Sequence, residues 1–314
     1  AYITKNINGL TENGVEVVPS VFNEKDKKSN FEFKIKEQIK QDNADKEKKR
    51  QELFGIFKRL YDSYWNNNTS GNIIGENFLT NNFVDTNFNT LYRTLIANLP
   101  YSGAIAADKT ADAVEILPDL IDDMFPNLNE QFMQTSGNSA DYFSQKNTIN
   151  ENEFNDISIP GKIININDNP RYKDIKYINV IANTEIRGKP FSDSVTINGH
   201  KFTLFAALYG GSGNQLGHFV AAINTSDGGW MIHDDRKVYY LANFTSSGVP
   251  RDLNSLQLRT LFYVDNTIID KLHDKNYLGI TNSTNPNAYN RCWLISLVKI
   301  FLHLPGMSQF INKK

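Results

Sequence analysis

The single cysteine of this chain limits how the chain can fold. Cys292 is the only cysteine among 314 residues, which excludes an internal disulfide framework and any zinc site built from several cysteines. The fold must therefore rest on a buried apolar core, and a composition of 40% apolar and 22% charged residues is ordinary for that purpose. A lone thiol also suits a reducing compartment, so we expect a cytoplasmic protein that acts in its own cell or in a host cell.

Cys292 stands at the head of the longest apolar run in the sequence, which ends at Leu304. Apolar residues recur along this run at helical spacing and predict a buried helix: Leu294, Leu297, Val298, Phe301 and Leu304. The run is too short to span a membrane and carries Lys299 and His303. No long apolar stretch follows the N-terminus, so we expect neither a membrane span nor a secretory signal. The net charge of −2, with both signs mixed along the chain, argues against a nucleic-acid partner.

The first half of the sequence has the periodicity of helices. Residues 23–50 are rich in Lys, Glu, Asp and Gln and predict a solvated helix or a mobile arm. Spacings of three and four then define an apolar helical stripe, made of Leu53, Phe57, Leu60, Tyr61 and Tyr64. A second helix is predicted from about Lys109, with a kink or a break at Pro118. We interpret residues 65–105 as an added loop and residues 126–155 as a polar connection.

From about Ile157 the sequence changes to short runs of β-branched and aromatic residues, separated by turn residues such as Asn198-Gly199 and Gly228-Gly229. This pattern predicts an antiparallel sheet built of hairpins. We therefore expect an α+β protein with four segments. These are a charged arm or helix at 1–50, a helical lobe at 51–150, a sheet lobe at 151–275, and a cysteine-bearing loop and helix at 276–314.

Three side chains carry the residue types of a thiol hydrolase. A hairpin that turns through Ser226-Asp-Gly-Gly would place His218 within about two residues of Asp234 or Asp235 across the strand pair. The carboxylate would then orient the imidazole toward Cys292, whose thiolate is favoured at the start of a helix. A lone buried Cys is more often a small apolar residue, and a lone His is more often structural. The conjunction of all three favours a Cys-His-Asp site.

Further signature residues surround these side chains. One segment holds Asn287, Cys292-Trp293 and Ser296-Leu297. The other holds the run from Phe202 to Leu208, then Gly217-His218-Phe219, Trp230, Asp234-Asp235 and Val238. Together they resemble the cysteine and histidine boxes of the ubiquitin-specific protease family, the papain-like deubiquitinases, and Asp112-Ala-Val-Glu115 resembles the acidic helix of that family. The family's order places the cysteine box first, whereas here it is last, so the resemblance implies a circular permutation.

The resemblance implies a papain-like fold of two lobes, a helical thumb and an antiparallel palm, with reduced or absent fingers. Cys292 would be the nucleophile, His218 the general base and then acid, Asp234 the orienting carboxylate and Asn287 an oxyanion donor. The partner would be ubiquitin or a ubiquitin-like protein. The residues that match substrate-side positions are Asp112, Glu115, Gly217, Asp235 and Trp293. The sequence departs from the family in two ways. It lacks the paired zinc-binding cysteines, so no metal or other cofactor is expected. It also has Tyr289-Asn-Arg-Cys-Trp where the family has Gly-Asn-Thr-Cys-Tyr.

Other functions remain open at this point. The same three residues would also serve a processing protease or an acyltransferase that does not act on ubiquitin. A metal-binding hydrolase would instead use a cluster made of His218, His233, Asp234 and Asp235, although their spacing forms no compact metal motif. A relative that binds ubiquitin without hydrolysis is disfavoured by the intact candidate residues.

Overall fold

We describe a computed structural model of the protein. The described residues are 24–66, 81–98, 113–125, 128, 131–135, 148–149, 175–181, 192–197, 199–211, 218–242, 253, 256–273, 275–280 and 291–312. The chain divides into two compact units, Ala1–Lys48 and Lys49–Lys314. In the first unit, residues 38–48 are exposed and helical. Their side chains form hydrogen bonds between residues four positions apart, from Gln38 to Asp42 and from Gln41 to Asp45.

Three helices occupy the described first half of the chain: α1 (Glu24–Asn66), α2 (Asn82–Asn98) and α3 (Ala113–Met124). The predicted stripe of α1 is confirmed, because its five apolar members are all buried. The interpretation of residues 65–105 as a loop is wrong for the part that forms α2. There, Val84, Phe88, Leu91 and Leu95 recur at helical spacing and are buried. The expected break at Pro118 is also wrong, since α3 runs through that residue.

The second half contains a mainly antiparallel sheet, which confirms the α+β class. Its strands are β1 (Phe132–Thr135), β2 (Thr148–Ile149), β3 (Tyr177–Ile181), β4 (Ser194–Ile197), β5 (His200–Gly211), β6 (Phe219–Asn224), β7 (Trp230–Asp234), β8 (Lys237–Leu241) and β9 (Leu256–Asp265). Their order is β1-β3-β9-β5-β6-β7-β8, with β4 pairing with both β5 and β2. Only the β1–β3 and β2–β4 pairs are parallel among these strands. The start of the region predicted to form strands, residues 157–174, lies outside the described residues.

The end of the chain forms two more helices, α4 (Cys292–Leu302) and α5 (Met307–Asn312), after the 3₁₀-helix Asn266–Lys271. The predicted helix at Cys292 is thus confirmed, and every residue of α4 is buried. Apart from Ser296 and Lys299 its side chains are apolar, and a helix of this kind lies inside a core. Accordingly, α4 packs on β6 and also contacts β5, β7 and α3.

The apolar side chains of the sheet form one cluster on each face. The larger cluster includes α4, the buried sides of α1 to α3, and sheet residues such as Phe205, Ala221 and Ile223. The smaller cluster uses alternate sheet residues, among them Val220 and Ala222. Side chains alternate between the faces of a strand, so β1, β3, β5, β6 and β9 each contribute to both clusters. Within the described residues, no helix is both long and apolar enough to cross a membrane.

Candidate functional site

A tight hairpin brings the predicted histidine and carboxylate together. Strands β6 and β7 pair in the register Ala221 opposite His233, so the start of β6 and the end of β7 meet at one end of the hairpin. At the other end, the Thr225 N–H donates to the Gly229 carbonyl at 2.9 Å, and Gly228 takes a φ of +79° that glycine adopts without strain. The hairpin therefore fixes which residues face each other at its open end.

His218 and Asp234 form an ion pair at this open end. Nε2 of His218 lies 2.7 Å from Oδ1 of Asp234, and each side chain is 34% exposed. A carboxylate only accepts hydrogen bonds, so Nε2 carries the hydrogen and donates it. The remaining ring nitrogen, Nδ1, is therefore left for a second partner.

Cys292 supplies that second partner from the first residue of α4. Its side chain is fully buried, accepts a hydrogen bond from the backbone N–H of Phe219 at 3.2 Å, and lies within hydrogen-bonding reach of His218. The first amides of a helix have no partner within it and carry partial positive charge, which stabilises an anion nearby. The structure thus brings together the three predicted residues Cys292, His218 and Asp234.

The pKa values reflect this contact. The hydrogen bond to Asp234 raises the pKa of His218 from 6.5 to about 10, and the contact with the Cys292 sulfur acts in the same direction against burial. Burial raises the pKa of the Cys292 thiol, and the charge of Asp235 adds to that effect, whereas His218 and the Phe219 amide lower it. The contacts with His218 and with the Phe219 amide therefore offset part of the effect of burial on the Cys292 thiol.

Asp235 lies beside this group in an unusual backbone conformation. Its φ is +51°, in the left-handed region, and it occupies the short turn between β7 and β8, whose ladder closes with Asp234 opposite Lys237. Asp tolerates this region better than most residues. The Asp235 carbonyl accepts a hydrogen bond from the Ile280 N–H at 3.2 Å, which ties the turn to the segment at 275–280.

The remaining predicted residues are not brought together by the described structure. Gly217, Asn287 and Asp112 lie outside the described residues. Glu115 lies in α3, but its side chain is not described. Trp293 is 1% exposed and packs in the larger apolar cluster, so packing accounts for it and we do not include it in the proposed site.

Two contributions to the site were not predicted from the sequence. One is the Phe219 amide, for which no sequence signal exists, because every residue except proline has an N–H group. The other is a buried basic group on the elements that carry Asp234 and Cys292, made of His233 in β7, Lys299 in α4 and His303 at the end of α4. The rings of His233 and His303 have centroids 5.2 Å apart, and burial holds the pKa of both imidazoles well below the ordinary value. Strand alternation could have predicted that His233 and Asp234 point to opposite faces.

The comparisons with known proteins give only a weak similarity. No protein-family model and no curated protein matches the chain. Among solved structures, one of the "SAGA Ubp8/Sgf11/Sus1/Sgf73 DUB module" matches with a TM-score of 0.22 and 13% identity, covering 29% of this chain and 24% of that chain. The same module "bound to ubiquitin aldehyde" matches with a TM-score of 0.19 and 15% identity, covering 29% of this chain and 25% of that chain. This chain therefore spans about a quarter of the length of these structures.

Proposed function

We propose that this chain is a cysteine hydrolase in which Cys292 is the nucleophile. One observation carries the proposal: a buried sulfur at a helix start lies within reach of an imidazole whose other nitrogen is held by a carboxylate. This arrangement of nucleophile, base and orienting acid is the geometry that activates a thiol. The roles of His218 as base and Asp234 as orienting residue follow from it.

The reaction would proceed through an acyl-enzyme. The thiol proton passes to Nδ1 of His218, and the sulfur forms a bond to the carbonyl carbon of the scissile amide. As the carbon–nitrogen bond breaks, the leaving amine takes the proton from the imidazolium. Water then attacks the thioester, His218 accepts its proton, and the thiol and a carboxylic acid are released. Asp234 keeps the imidazole in the required tautomer throughout.

The substrate we propose is the bond after the C-terminal Gly-Gly of ubiquitin or a ubiquitin-like protein. Support comes from the resemblance of the cysteine and histidine boxes to those of the ubiquitin-specific proteases. Under this proposal Asn287 donates to the oxyanion, while Gly217 and Asp235 lie at the substrate side of the site. The acidic residues Asp112 and Glu115 would bind the basic tail that precedes the Gly-Gly.

The same proposal assigns a circularly permuted, papain-like architecture. Residues 51–150 form the thumb, 151–275 the palm, and 276–314 the cysteine-bearing segment that completes the thumb, with 1–50 as an arm. A permutation is tolerated when the original termini lie close together at the surface and the new break falls in an exposed loop. Activity on ubiquitin would be exercised in the cytoplasm of the protein's own cell or of a host.

A ubiquitin carrying a thiol-reactive electrophile at its C-terminus tests this function directly. We expect a covalent adduct whose mass equals the sum of the two proteins, with peptide mapping to Cys292. Cys292→Ala should abolish the adduct while leaving the thermal unfolding curve unchanged, and His218→Ala should slow its formation. Parallel probes made from other ubiquitin-like proteins identify the preferred modifier. Absence of an adduct with every probe, in a folded protein whose Cys292 still reacts with iodoacetamide, would show that the substrate is a different one.

A metal-dependent hydrolase is the second candidate, because one observation favours it. Ligand atoms of His218, Asp234 and Asp235 all lie within 4.8 Å of one another, a spacing that a divalent cation can bridge. This candidate predicts hydrolysis that survives in Cys292→Ala and stops after treatment with a chelator. The thiol proposal predicts that hydrolysis is lost in Cys292→Ala and is unaffected by a chelator.

A further inference from the structure

The residue that precedes the nucleophile has an unusual environment for a cation. Arg291 is only 9% exposed and occupies the N-cap position of α4, yet its side chain makes no capping hydrogen bond to that helix. The side chain extends instead to α2, where Nη1 donates a hydrogen bond to Oδ1 of Asn89. Its guanidinium carbon lies 5.5 Å from the ring centroid of Phe88 and 5.3 Å from that of Tyr92.

One face of α2 is built around this guanidinium. The three contacting residues and an acidic neighbour are spaced three and four apart, which places them on a single helix face: Asp85, Phe88, Asn89 and Tyr92. Burial lowers the pKa of Arg291, and the negative charges of Asp85 and Asp235 act against that effect. A planar guanidinium stacks on aromatic rings and keeps its hydrogen bonds in fixed directions, so this contact defines orientation as well as distance.

The backbone of Arg291 transmits this position to the nucleophile. Its carbonyl accepts hydrogen bonds from the N–H groups of Leu294 and Ile295 at 3.0 and 2.9 Å, and so forms part of the first turn of α4. Cys292 is the next residue in the chain, so a displacement of Arg291 moves the sulfur as well. The sulfur must stay within bonding distance of the Phe219 amide and of His218, and reactive groups tolerate displacements of only about 0.5 Å.

We propose that Arg291 is a positioning residue, which anchors the start of α4 to α2 through Asn89, Phe88 and Tyr92 and so holds the Cys292 sulfur against His218. The inference rests on the proposed role of Cys292 as nucleophile. It is particular to this chain, because Arg291 stands at the position where the resembling cysteine box has Thr.

Alkylation of the only thiol in the chain measures this positioning without any substrate. Iodoacetamide reacts with the thiolate, so its rate with Cys292 reports how well the imidazole removes the thiol proton. We expect Arg291→Lys to lower the rate by about 10- to 100-fold, because Lys keeps the charge but loses the planar stacking and the directed hydrogen bond. Arg59→Lys, the same exchange at an exposed residue of α1, is the matched control and should leave the rate unchanged.

A double-mutant cycle separates positioning from a purely structural role. If Arg291 acts by holding the sulfur against His218, then Arg291→Lys lowers the alkylation rate in the wild-type background but not further in the His218→Ala background. Asn89→Ala, which removes the hydrogen-bond acceptor, should give the same pattern and serves if Arg291→Lys fails to fold. Thermal unfolding of each variant shows whether it is folded at the temperature at which the alkylation rates are compared.

Two results would overturn the inference. One is a wild-type alkylation rate in folded Arg291→Lys and Asn89→Ala, and the other is an equal decrease in both backgrounds, which would indicate a general effect on the fold. The proposed substrate is tested separately with the ubiquitin probe. If the protein shows the coupled alkylation pattern but forms no ubiquitin adduct, the positioning role of Arg291 stands and only the proposed substrate is wrong.

Discussion

The pairing of His218 with Asp234 makes a quantitative prediction for Asp234→Asn. Asn is nearly isosteric with Asp and can still accept a hydrogen bond, but it removes the negative charge that stabilises the imidazolium. The bond to Asp234 is the largest cause of the rise in the pKa of His218 from 6.5 to about 10. Loss of a neighbouring opposite charge typically changes a pKa by about 1 to 3. We therefore expect the pKa of His218 to fall by that amount in Asp234→Asn.

The same change has a defined effect on stability. A pKa raised from 6.5 to about 10 corresponds to a gross preference of about 5 kcal/mol for the imidazolium in the folded state, at about 1.4 kcal/mol for each tenfold step. Because both side chains are 34% exposed, solvent screens the pair. We therefore expect Asp234→Asn to lower the free energy of unfolding by about 2 kcal/mol. A raised pKa in the folded state contributes stability that is full below pH 6.5 and is lost as the pH rises toward 10. Asp234→Asn should therefore be most destabilising below pH 6.5.

Two measurements check this prediction. Imidazole resonances followed by NMR across the pH range give the pKa of His218, which is assigned among five histidines by its absence in His218→Ala. Urea unfolding at several pH values gives the stability difference. Asp270→Asn, at an exposed carboxylate in the 3₁₀-helix, is the control and should change neither. A wild-type His218 that titrates near 6.5, or an unchanged pKa in Asp234→Asn, would refute the reasoning.

Three further predictions concern stability and are measured by urea unfolding. Gly279→Ala should destabilise the protein by about 1 to 3 kcal/mol, because the added Cβ would overlap the backbone of the β7–β8 turn. In Gly55→Ala the added Cβ meets only ordinary contacts, so this control should stabilise α1 by about 0.5 to 1 kcal/mol. Leu297→Ala should cost about 2 to 5 kcal/mol, because it leaves a cavity in the fully buried face of α4, and a cost near zero would contradict the placement of that helix. Stability should also fall below about pH 6.5, because His233 and His303 have a pKa well below the ordinary value when folded and must take up protons on unfolding. Replacing both histidines by Leu should remove this loss of stability below pH 6.5. If the free energy of unfolding still falls by the same amount in that variant, other groups are responsible.

The part of the site that could be predicted from the sequence is the part fixed by local geometry. His218 and Asp234 lie on one hairpin, and a turn rich in glycine sets its register, so residues 16 positions apart could be paired without any tertiary information. Helical spacing of apolar residues likewise predicted that a buried helix begins at Cys292. The meeting of Cys292 with the hairpin, 73 positions from Phe219, could be expected only from chemical reasoning and family resemblance.

Helix α2 shows where the sequence signal was too weak. Its buried residues have helical spacing, but Asn and Thr, which favour turns and caps, separate them. Packing against the larger apolar cluster stabilises the helix in spite of that local preference. At Pro118 packing again overrides the local preference, because the buried apolar residues of α3 on either side of the proline offset the local cost of the missing N–H.

The buried basic residues were the least predictable feature, because the contacts of each come from distant parts of the chain. Lys299 is fully buried in α4, where Nζ donates a hydrogen bond to the Leu278 carbonyl and lies 4.0 Å from the ring centroid of Tyr64. Arg291 receives its acceptor from a residue 202 positions earlier. Neither partner can be inferred from the sequence next to the basic residue, and by default a charged side chain is expected at the surface. Both basic residues belong to the segment that carries Cys292, so the position of this cysteine depends on polar contacts inside the core as well as on apolar packing.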